Sequence, residues 1–327
     1  MNILVCDDSI IARKSIISRI EPSENLVIHQ AEDGQQALDT MTTCNIDVLF
    51  LDLTMPVIDG FEVLAAMPVN HYPTEVIVVS GDIQAEAKTR CSDMGAADFI
   101  EKPFATSDLI SLFHKYHIPL RSNDISAPQQ RAKQVDLVAA IREMSNIALG
   151  SSAALISQQV GRFIEMPLPN VASLHQSELK MTLQDIVNNS ESRAVAQRFV
   201  GHGINGEALV CLHGTDFGQL TSGSDEQCQS STNEVILDLA NLLVSSFLGS
   251  FSKQLDINIS LRQPFVLEKE AMTSALNSNS FLADYEQDIF TIEFVYRAEN
   301  LDVACDIVFL MDNDSLGAIK GILESVL

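Results

Sequence analysis

Short apolar runs alternate with segments of helical period along the first 118 residues. The run at residues 46–60, IDVLFLDLTMPVIDG, has the length and composition of a strand buried on both faces, closed by a turn at its end. Similar runs occupy residues 2–6, 75–79 and 98–101. Helical periods predict helices at residues 10–20, 61–67, 85–94 and 106–116, and Gly34 precedes a further helix that runs to Thr43. This order predicts an α/β domain over residues 1–118 with a doubly wound, five-stranded parallel sheet.

The pattern changes after residue 118. Residues 119–133 contain two prolines and many small polar residues without a sustained period, which predicts a linker. Residues 134–327 contain an internal repeat, because EMSNIALGSSAALIS at 143–157 superimposes on DLANLLVSSFLGSFS at 238–252, an offset of 95 (238 − 143). We therefore predict an α+β domain with a pseudo-two-fold repeat, its copies at about 134–228 and 229–327.

Charge and cysteine usage narrow the function classes. The formal net charge of −24 repels phosphate backbones and anionic lipid, so neither a nucleic-acid partner nor a DNA-binding output domain is expected. No uninterrupted apolar run approaches 18 residues and no leader precedes the first strand, which predicts a cytoplasmic protein without membrane insertion. The six cysteines show no CxxC and no metal spacing, as expected of core residues in a reducing compartment.

Polar residues follow four of the predicted strands. Asp7 and Asp8 follow the first strand, Asp52 the third, Ser80 the fourth and Lys102 the fifth. The carboxyl ends of parallel strands meet at one edge of a sheet, so these side chains should converge. Three carboxylates repel one another unless a cation joins them, and all-oxygen ligands suit Mg²⁺. At such an edge Asp52 can act as a nucleophile toward a phosphoryl group, with Ser80 and Lys102 contacting the transferred oxygens.

Together with the Asp59-Gly60 turn and Lys102-Pro103-Phe104, these residues make positions 1–118 resemble a response-regulator receiver domain of the CheY type, which has a flavodoxin-like fold. The resemblance implies that Asp52 is the phosphoacceptor and that a histidine kinase is the phosphodonor. It also implies that Ser80 and Phe99 are switch residues, which respond to the phosphorylation of Asp52. The Mg²⁺ ligands that it implies are Asp7, Asp8, Asp52 and the backbone of Thr54.

One pair of residues occurs in both copies of the repeat. On a predicted helix, Glu143 and Asn146 lie opposite an apolar stripe and share an outward face; Asp238 and Asn241 do the same in the second copy. A single such pair is commonly a solvated helix face. Asparagine is a mediocre helix former, so an exposed asparagine at equivalent places in both copies indicates a chemical use for its amide.

The acid-x-x-Asn motif, the glycine- and alanine-rich continuation and a later proline make residues 134–327 resemble the CheC/CheX/FliY family of aspartyl-phosphate phosphatases. The resemblance implies that the Asn orients the attacking water, while the acid bonds the lysine of a phosphorylated CheY-like partner. The catalytic residues would be Glu143, Asn146, Asp238 and Asn241. Two positions depart from the family pattern: Ala139 stands where the family often has an acid or serine, and Asp238 replaces a glutamate.

These features predict a response regulator, phosphorylated on Asp52, whose output domain hydrolyses the aspartyl phosphate of a chemotaxis response regulator. A first alternative is a non-catalytic chemotaxis or flagellar-switch adaptor controlled by receiver phosphorylation. A second makes the output domain a phosphatase of its own receiver. The sequence leaves open which acid-x-x-Asn site is active and whether the chain forms a homodimer.

Overall fold

The computed structural model describes residues 1–67, 73–121, 136–175, 177–178, 180–181, 184, 193–214, 232–267 and 288–326. The chain divides into two compact units, Met1–Gly150 and Ser151–Leu327. The division differs from the predicted domains, because the first unit extends beyond the predicted receiver into residues 136–150.

The first unit contains the predicted five-stranded parallel sheet, with strand order β2-β1-β3-β4-β5. Its strands are β1 (Asn2–Cys6), β2 (Val27–Ala31), β3 (Val48–Leu51), β4 (Glu75–Ser80) and β5 (Asp98–Glu101). All four residues of β3 are buried, as the apolar run predicted, because it is the central strand and both of its faces are covered. Separate apolar clusters fill the two faces of the sheet, one with Leu49 and Leu51 and the other with Val48 and Phe50.

Five helices cover this sheet: α1 (Ile10–Ile17), α2 (Gly34–Thr43), α3 (Gly60–Ala66), α4 (Ala85–Asp93) and α5 (Thr106–Lys115). The side chains of Ser9, Asp33 and Asp59 cap the first three by accepting backbone N–H bonds. Helix α1 ends earlier than predicted, because Arg19 N and Ile20 N bond to carbonyls three residues before them.

The predicted linker, residues 119–133, is wrong at its start. Glu21 N donates to the carbonyl of Pro119, and Leu120 forms an antiparallel bridge with Ile20. Leu120 also packs against the apolar cluster that contains Phe113. The first domain therefore continues past residue 118, and the rest of the predicted linker, 122–133, lies outside the described residues.

A sixth helix, α6 (Leu137–Val160), begins in the first unit and ends in the second. Every residue from 143 to 150 is buried, although an amphipathic surface helix would expose about half of them. Over residues 143–150 this helix is therefore covered on all sides.

The second unit contains an eight-stranded, antiparallel sheet. Six strands follow the order β10-β8-β9-β13-β12-β6, with β11 also pairing β8 and β7 also pairing β12. They are β6 (Ile164–Glu165), β7 (Asn170–His175), β8 (Arg193–Gly201), β9 (Ile204–Gly214), β10 (Ser260–Leu261), β11 (Phe265–Leu267), β12 (Asp288–Ala298) and β13 (Val303–Met311). Among the described residues of this unit, helix α7 (Thr232–Gln254) follows β9 and helix α8 (Asn313–Val326) follows β13.

The strand pairing agrees with the predicted pseudo-two-fold repeat. Strands β9 and β13 pair at the centre of the sheet, and on their outer sides β9 pairs with β8 and β13 pairs with β12. Strand β8 of the first copy also pairs with β10 and β11 of the second copy, and strand β12 of the second copy also pairs with β6 and β7 of the first. Helices α6 and α7 occupy equivalent places in the chain, before β6 and β10. At the offset of 95, the counterpart of α8 in the first copy would fall at residues 218–231 (313 − 95 and 326 − 95), outside the described residues.

Helix α7 is the one helix in the described ranges that is long and apolar enough to cross a membrane by length and composition, and 56% of its most apolar window is buried. Its Phe247 stacks against Phe251 and contacts Phe294 and Phe309 of the sheet. These contacts are those of a core helix packed on a sheet, so α7 is not clearly a membrane span.

Candidate functional site

Three carboxylates converge at the carboxyl edge of the parallel sheet. Asp7 and Asp8 follow β1 and Asp52 follows β3, and each offers an oxygen within 4.8 Å of those of the other two. Asp7 accepts a bond from Ser9 N at 2.9 Å, and Asp52 accepts one from Leu53 N at 2.8 Å. These backbone donors orient both carboxylates, so the strand ends bring together the acids that the sequence predicted would meet.

Lys102, after β5, is the cation of this cluster. Its Nζ lies 2.7 Å from Asp7 Oδ2 and 3.2 Å from Asp52 Oδ2, and its side chain is buried. Burial acts to lower the pKa of Lys102, but the charges of Asp52, Asp7 and Glu143 outweigh burial and raise this pKa well above its ordinary value. The ammonium therefore stays charged at any physiological pH.

The three carboxylates of the cluster carry more negative charge than the single ammonium of Lys102 can neutralise. Burial, followed by the neighbouring charge of Asp7, raises the pKa of Asp8 to about 6, and burial also raises the pKa values of Asp7 and Asp52. Asp8 Oδ1 is buried without a protein hydrogen-bond partner. This donor set fits Mg²⁺, which prefers carboxylate oxygens and water. Asp7, Asp8 and Asp52 would hold the ion, which when bound would neutralise charge on a phosphoryl group.

The other predicted residues of this edge lie around the cluster. Ser80 is fully buried at the end of β4, and its Oγ accepts a bond from Asp82 N at 3.1 Å. Thr54 is buried in the loop after β3. Phe99, on β5, is half-buried against the apolar cluster beneath α4, with Lys88 Nζ 5.8 Å from its ring centroid.

Sequence reasoning missed a buried arginine, Arg13, that holds the loop carrying Asp7 and Asp8 in place. Arg13 Nη1 donates to the carbonyl of Asp7 at 2.7 Å, and Nη2 pairs with Glu32 at 2.7 Å. The guanidinium thereby fixes the backbone that carries two of the three acids. A signal was present, because Arg13 occupies the buried stripe of α1 together with Ile16.

The prediction that Glu143 and Asn146 are exposed is wrong. Their relative exposures are 9% and 6%. Glu143 Oε1 lies 3.8 Å from Lys102 Nζ, so this carboxylate faces the acidic cluster of the first unit. Glu143 Oε2 and Asn146 Oδ1 are buried without a protein hydrogen-bond partner. The helical wheel put both side chains on the face opposite the apolar stripe, but it could not show that this face is covered as well.

Two glycines allow helix α6 to approach the loop after β4. A Cβ added at Gly150 would lie 1.8 Å from the carbonyl oxygen of Gly81 and 2.8 Å from the backbone nitrogen of Asp82. One added at Gly81 would lie 3.1 Å from the carbonyl oxygen of Asn146. The backbones are therefore in direct contact at this point, and only glycine fits at position 150.

The second acid-x-x-Asn pair has different surroundings. Asp238 and Asn241 are exposed on α7, as predicted, together with Glu234. Asn241 Oδ1 accepts a bond from Gln197 Nε2 at 2.8 Å, and the same Nε2 donates to the carbonyl of Arg262 at 2.9 Å. The structure therefore brings Glu143 next to the phosphoacceptor cluster, while Asp238 and Asn241 lie on an open helix face of the second unit.

Comparison with known proteins identifies the first domain. The family model described as the response regulator receiver domain matches residues 3–114. The cell cycle response regulator CtrA of Brucella ovis is 31% identical over 112 residues, which cover 34% of this chain and 47% of that protein. The receiver domain of the Francisella response regulator 1452 is 29% identical, covering 36% of this chain and 95% of that one, with a TM-score of 0.33. The response regulator domain of Thermotoga maritima CheB is 27% identical over 36% of this chain and 93% of that one, with a TM-score of 0.32.

The family-model match over residues 3–114 shows that the N-terminal part of the chain is a response regulator receiver domain. The chain spans about half the length of the curated relatives that it matches. The family model ends at residue 114, so the resemblance of residues 134–327 to the CheC/CheX/FliY phosphatases stays a prediction.

Proposed function

We propose that this chain, whose N-terminal part is a response regulator receiver, takes a phosphoryl group on Asp52 from a histidine kinase and carries an output domain that hydrolyses aspartyl phosphate. The second half of this proposal depends mainly on one observation, the approach of Glu143 Oε1 to within 3.8 Å of Lys102 Nζ. An acid of the acid-x-x-Asn motif thereby contacts the lysine of a receiver site, which is the contact that the phosphatase family is expected to make.

The receiver half needs three groups around the transferred phosphoryl. Asp52 supplies the nucleophilic oxygen, and its bond from Leu53 N leaves Oδ2 directed to Lys102. Lys102 and Ser80 would contact the phosphoryl oxygens, with Mg²⁺ on the acids. Addition of EDTA should therefore abolish labelling of Asp52 by acetyl phosphate, and Asp8→Asn should weaken it. Labelling that survives in Asp52→Asn would contradict the assignment of the phosphoacceptor.

The phosphatase half needs positioning and no nucleophile of its own. Hydrolysis of an aspartyl phosphate passes through a loose transition state, so an amide that orients water contributes more than a strong base. Asn146 supplies such an amide in a buried position, and Asn241 supplies one at the equivalent place of α7. Asp238 is one methylene shorter than Glu143 and would reach less far toward a partner's lysine.

The chemotaxis partner is tested with a chain that cannot be phosphorylated. We expect the Asp52→Ala protein to accelerate the decay of a separately phosphorylated CheY-like receiver, and the Asn146→Ala/Asn241→Ala double variant to lose this acceleration. The chain carrying Asp52→Ala together with Gln158→Ala is the control, since Gln158 is an exposed amide farther along α6. If neither a separate receiver nor the chain's own Asp52 is dephosphorylated faster with the asparagines than without them, the phosphatase assignment fails.

A second function is favoured by the burial of the site. Asp52 and Lys102 are buried together with Glu143. A helix that only caps the phosphoacceptor would make the output domain a non-catalytic adaptor, released for a chemotaxis or flagellar partner when Asp52 is phosphorylated. In that case the asparagine substitutions would leave the decay of every phosphorylated receiver unchanged.

A further inference from the structure

We propose that the substrate of Glu143 and Asn146 is the phosphorylated Asp52 of the same chain, so that α6 is an intramolecular phosphatase of its own receiver. This inference rests on the proposed function and narrows it to one substrate. It is carried by contacts within the first unit, Met1–Gly150.

The first support is the chain of ionic contacts from α6 to the phosphoacceptor. Glu143 Oε1 lies 3.8 Å from Lys102 Nζ, and the same Nζ lies 3.2 Å from Asp52 Oδ2. Only one side chain therefore separates the acid of the motif from the reacting carboxylate.

The second support is the close packing of the backbones beside the site. The contact between Gly150 and Gly81 is too close for any side chain at position 150, and Gly81 directly follows Ser80 of the phosphoryl site. Asn146 lies one helical turn before Gly150, with its carbonyl against Gly81. The loop that would contact the phosphoryl oxygens is thus the loop on which α6 packs.

The third support is the polar character of the buried face. Asn146 is 94% buried and its Oδ1 has no protein partner, and the same holds for Glu143 Oε2. Burying such atoms costs free energy unless a further group bonds to them. An amide acceptor beside a phosphoryl site is suited to a water molecule, whose O–H donates to Asn146 Oδ1.

The reaction balances without a further co-reactant. The water oxygen forms a bond to phosphorus, and the bond between phosphorus and the Asp52 oxygen breaks. The Asp52 carboxylate leaves with the electron pair, and the products are free Asp52 and inorganic phosphate, which retains a proton of the water or passes it to solvent. Asn146 orients the water, while Glu143 positions Lys102 through their ion pair.

The experiment follows the decay of phosphorylated full-length chain after acetyl phosphate and Mg²⁺ have been used for labelling and the donor removed. We expect first-order decay whose rate constant is unchanged over a hundredfold range of protein concentration. Asn146→Ala should slow the decay about tenfold or more, and Glu143→Gln should slow it less. Gln158→Ala is the matched control and should decay as the wild type does. Far-UV circular dichroism and the labelled fraction show whether each variant is folded.

A mixing experiment separates action on the same chain from action on another. Unlabelled Asp52→Ala protein, which keeps Glu143 and Asn146, is added to labelled Asn146→Ala protein. If α6 acts on its own receiver, the slow decay persists at every concentration of the added protein. Two results together would overturn the intramolecular assignment and leave the proposed phosphatase activity intact: decay that accelerates in proportion to the added protein, and a wild-type decay rate that rises with protein concentration. Equal decay of wild type and Asn146→Ala, folded and labelled alike, would overturn it as well.

Discussion

The two copies of the repeated helix carry the same motif but meet different surroundings. In α6 every residue from 143 to 150 is buried, and Glu143 faces the lysine of the receiver site. In α7 the equivalent Asp238 and Asn241 are exposed, although the apolar side of the helix packs on the sheet through Phe247. The same local sequence therefore supports a covered site in one copy and an open one in the other.

The difference separates two properties of the helix: the chemistry, which comes from the acid-x-x-Asn motif, and the docking on the receiver, which comes from other residues of the helix. The acid and the asparagine are common to both copies, so they give the chemistry. The glycine at position 150 is specific to the first copy, because the alignment places Ser245 opposite it. We infer that Gly150 determines the docking of α6, since it is the position at which backbone meets backbone.

The largest expected effect follows from a methyl group at Gly150. Gly150→Ala places a carbon 1.8 Å from the Gly81 carbonyl oxygen, and such overpacking costs about 1 to 3 kcal/mol or moves the helix off the loop. Gly249→Ala is the control in α7, because a Cβ there meets nothing within 4 Å and alanine favours a helix by about 1 kcal/mol. Urea unfolding of both variants, with hydrogen exchange at residues 80–82, measures the contrast. Equal stability of the two variants would mean that α6 does not pack on this loop.

Much of the first domain could be predicted from the sequence because its local and long-range preferences agree. The strand Asn2–Cys6 has the predicted bounds, since apolar period and turn residues indicate the same ends. The helix Gly34–Thr43 ends at the predicted residue and begins one residue earlier than predicted. Asp7, Asp52 and Lys102 converge because parallel strands end at a common edge, which follows from strand order alone.

The burial of α6 could not be predicted from its period. A helical wheel identifies the face that packs on one partner, and it labels the opposite face as exposed unless a second partner is known. Glu143 and Asn146 lie on that opposite face. Arg13 was missed for a related reason. A charged residue within a buried stripe is not recognised as functional until its partners are located, here the carbonyl of Asp7 and the carboxylate of Glu32.

A smaller, pH-dependent effect is expected at Asp82, which is buried in the loop that contacts Gly150. Burial raises its pKa from 3.8 to about 6, against the lowering effect of its bonds from Gln84. In the folded state the carboxyl therefore binds a proton between about pH 4 and 6 while the unfolded chain does not, so its contribution to stability falls as pH rises through this window. Asp82→Asn removes this penalty.

The variant should be more stable than the wild type by about 2 kcal/mol at pH 7.5, and the two should be equal near pH 4. Urea unfolding at both pH values measures this difference. Because the shift depends on burial, Gly150→Ala in the same background should shrink the gain if it moves α6 off the loop. A gain that is the same at pH 4 and pH 7.5 would show that the charge of Asp82 is not its cause.

The smallest effect belongs to the exposed copy. Asn241→Ala removes the acceptor of one bond from Gln197, whose Nε2 keeps its second bond to the carbonyl of Arg262. Since Gln197 is buried but not left without a partner, the free energy of unfolding should fall by only about 1 kcal/mol. Asn233→Ala, an exposed asparagine near the start of α7, is the control and should change stability less. If Asn241→Ala lowered the free energy of unfolding much more than Gly150→Ala does, Asn241 would be a residue that holds the helix to the sheet. The two acid-x-x-Asn motifs would then be alike in sequence but not in function.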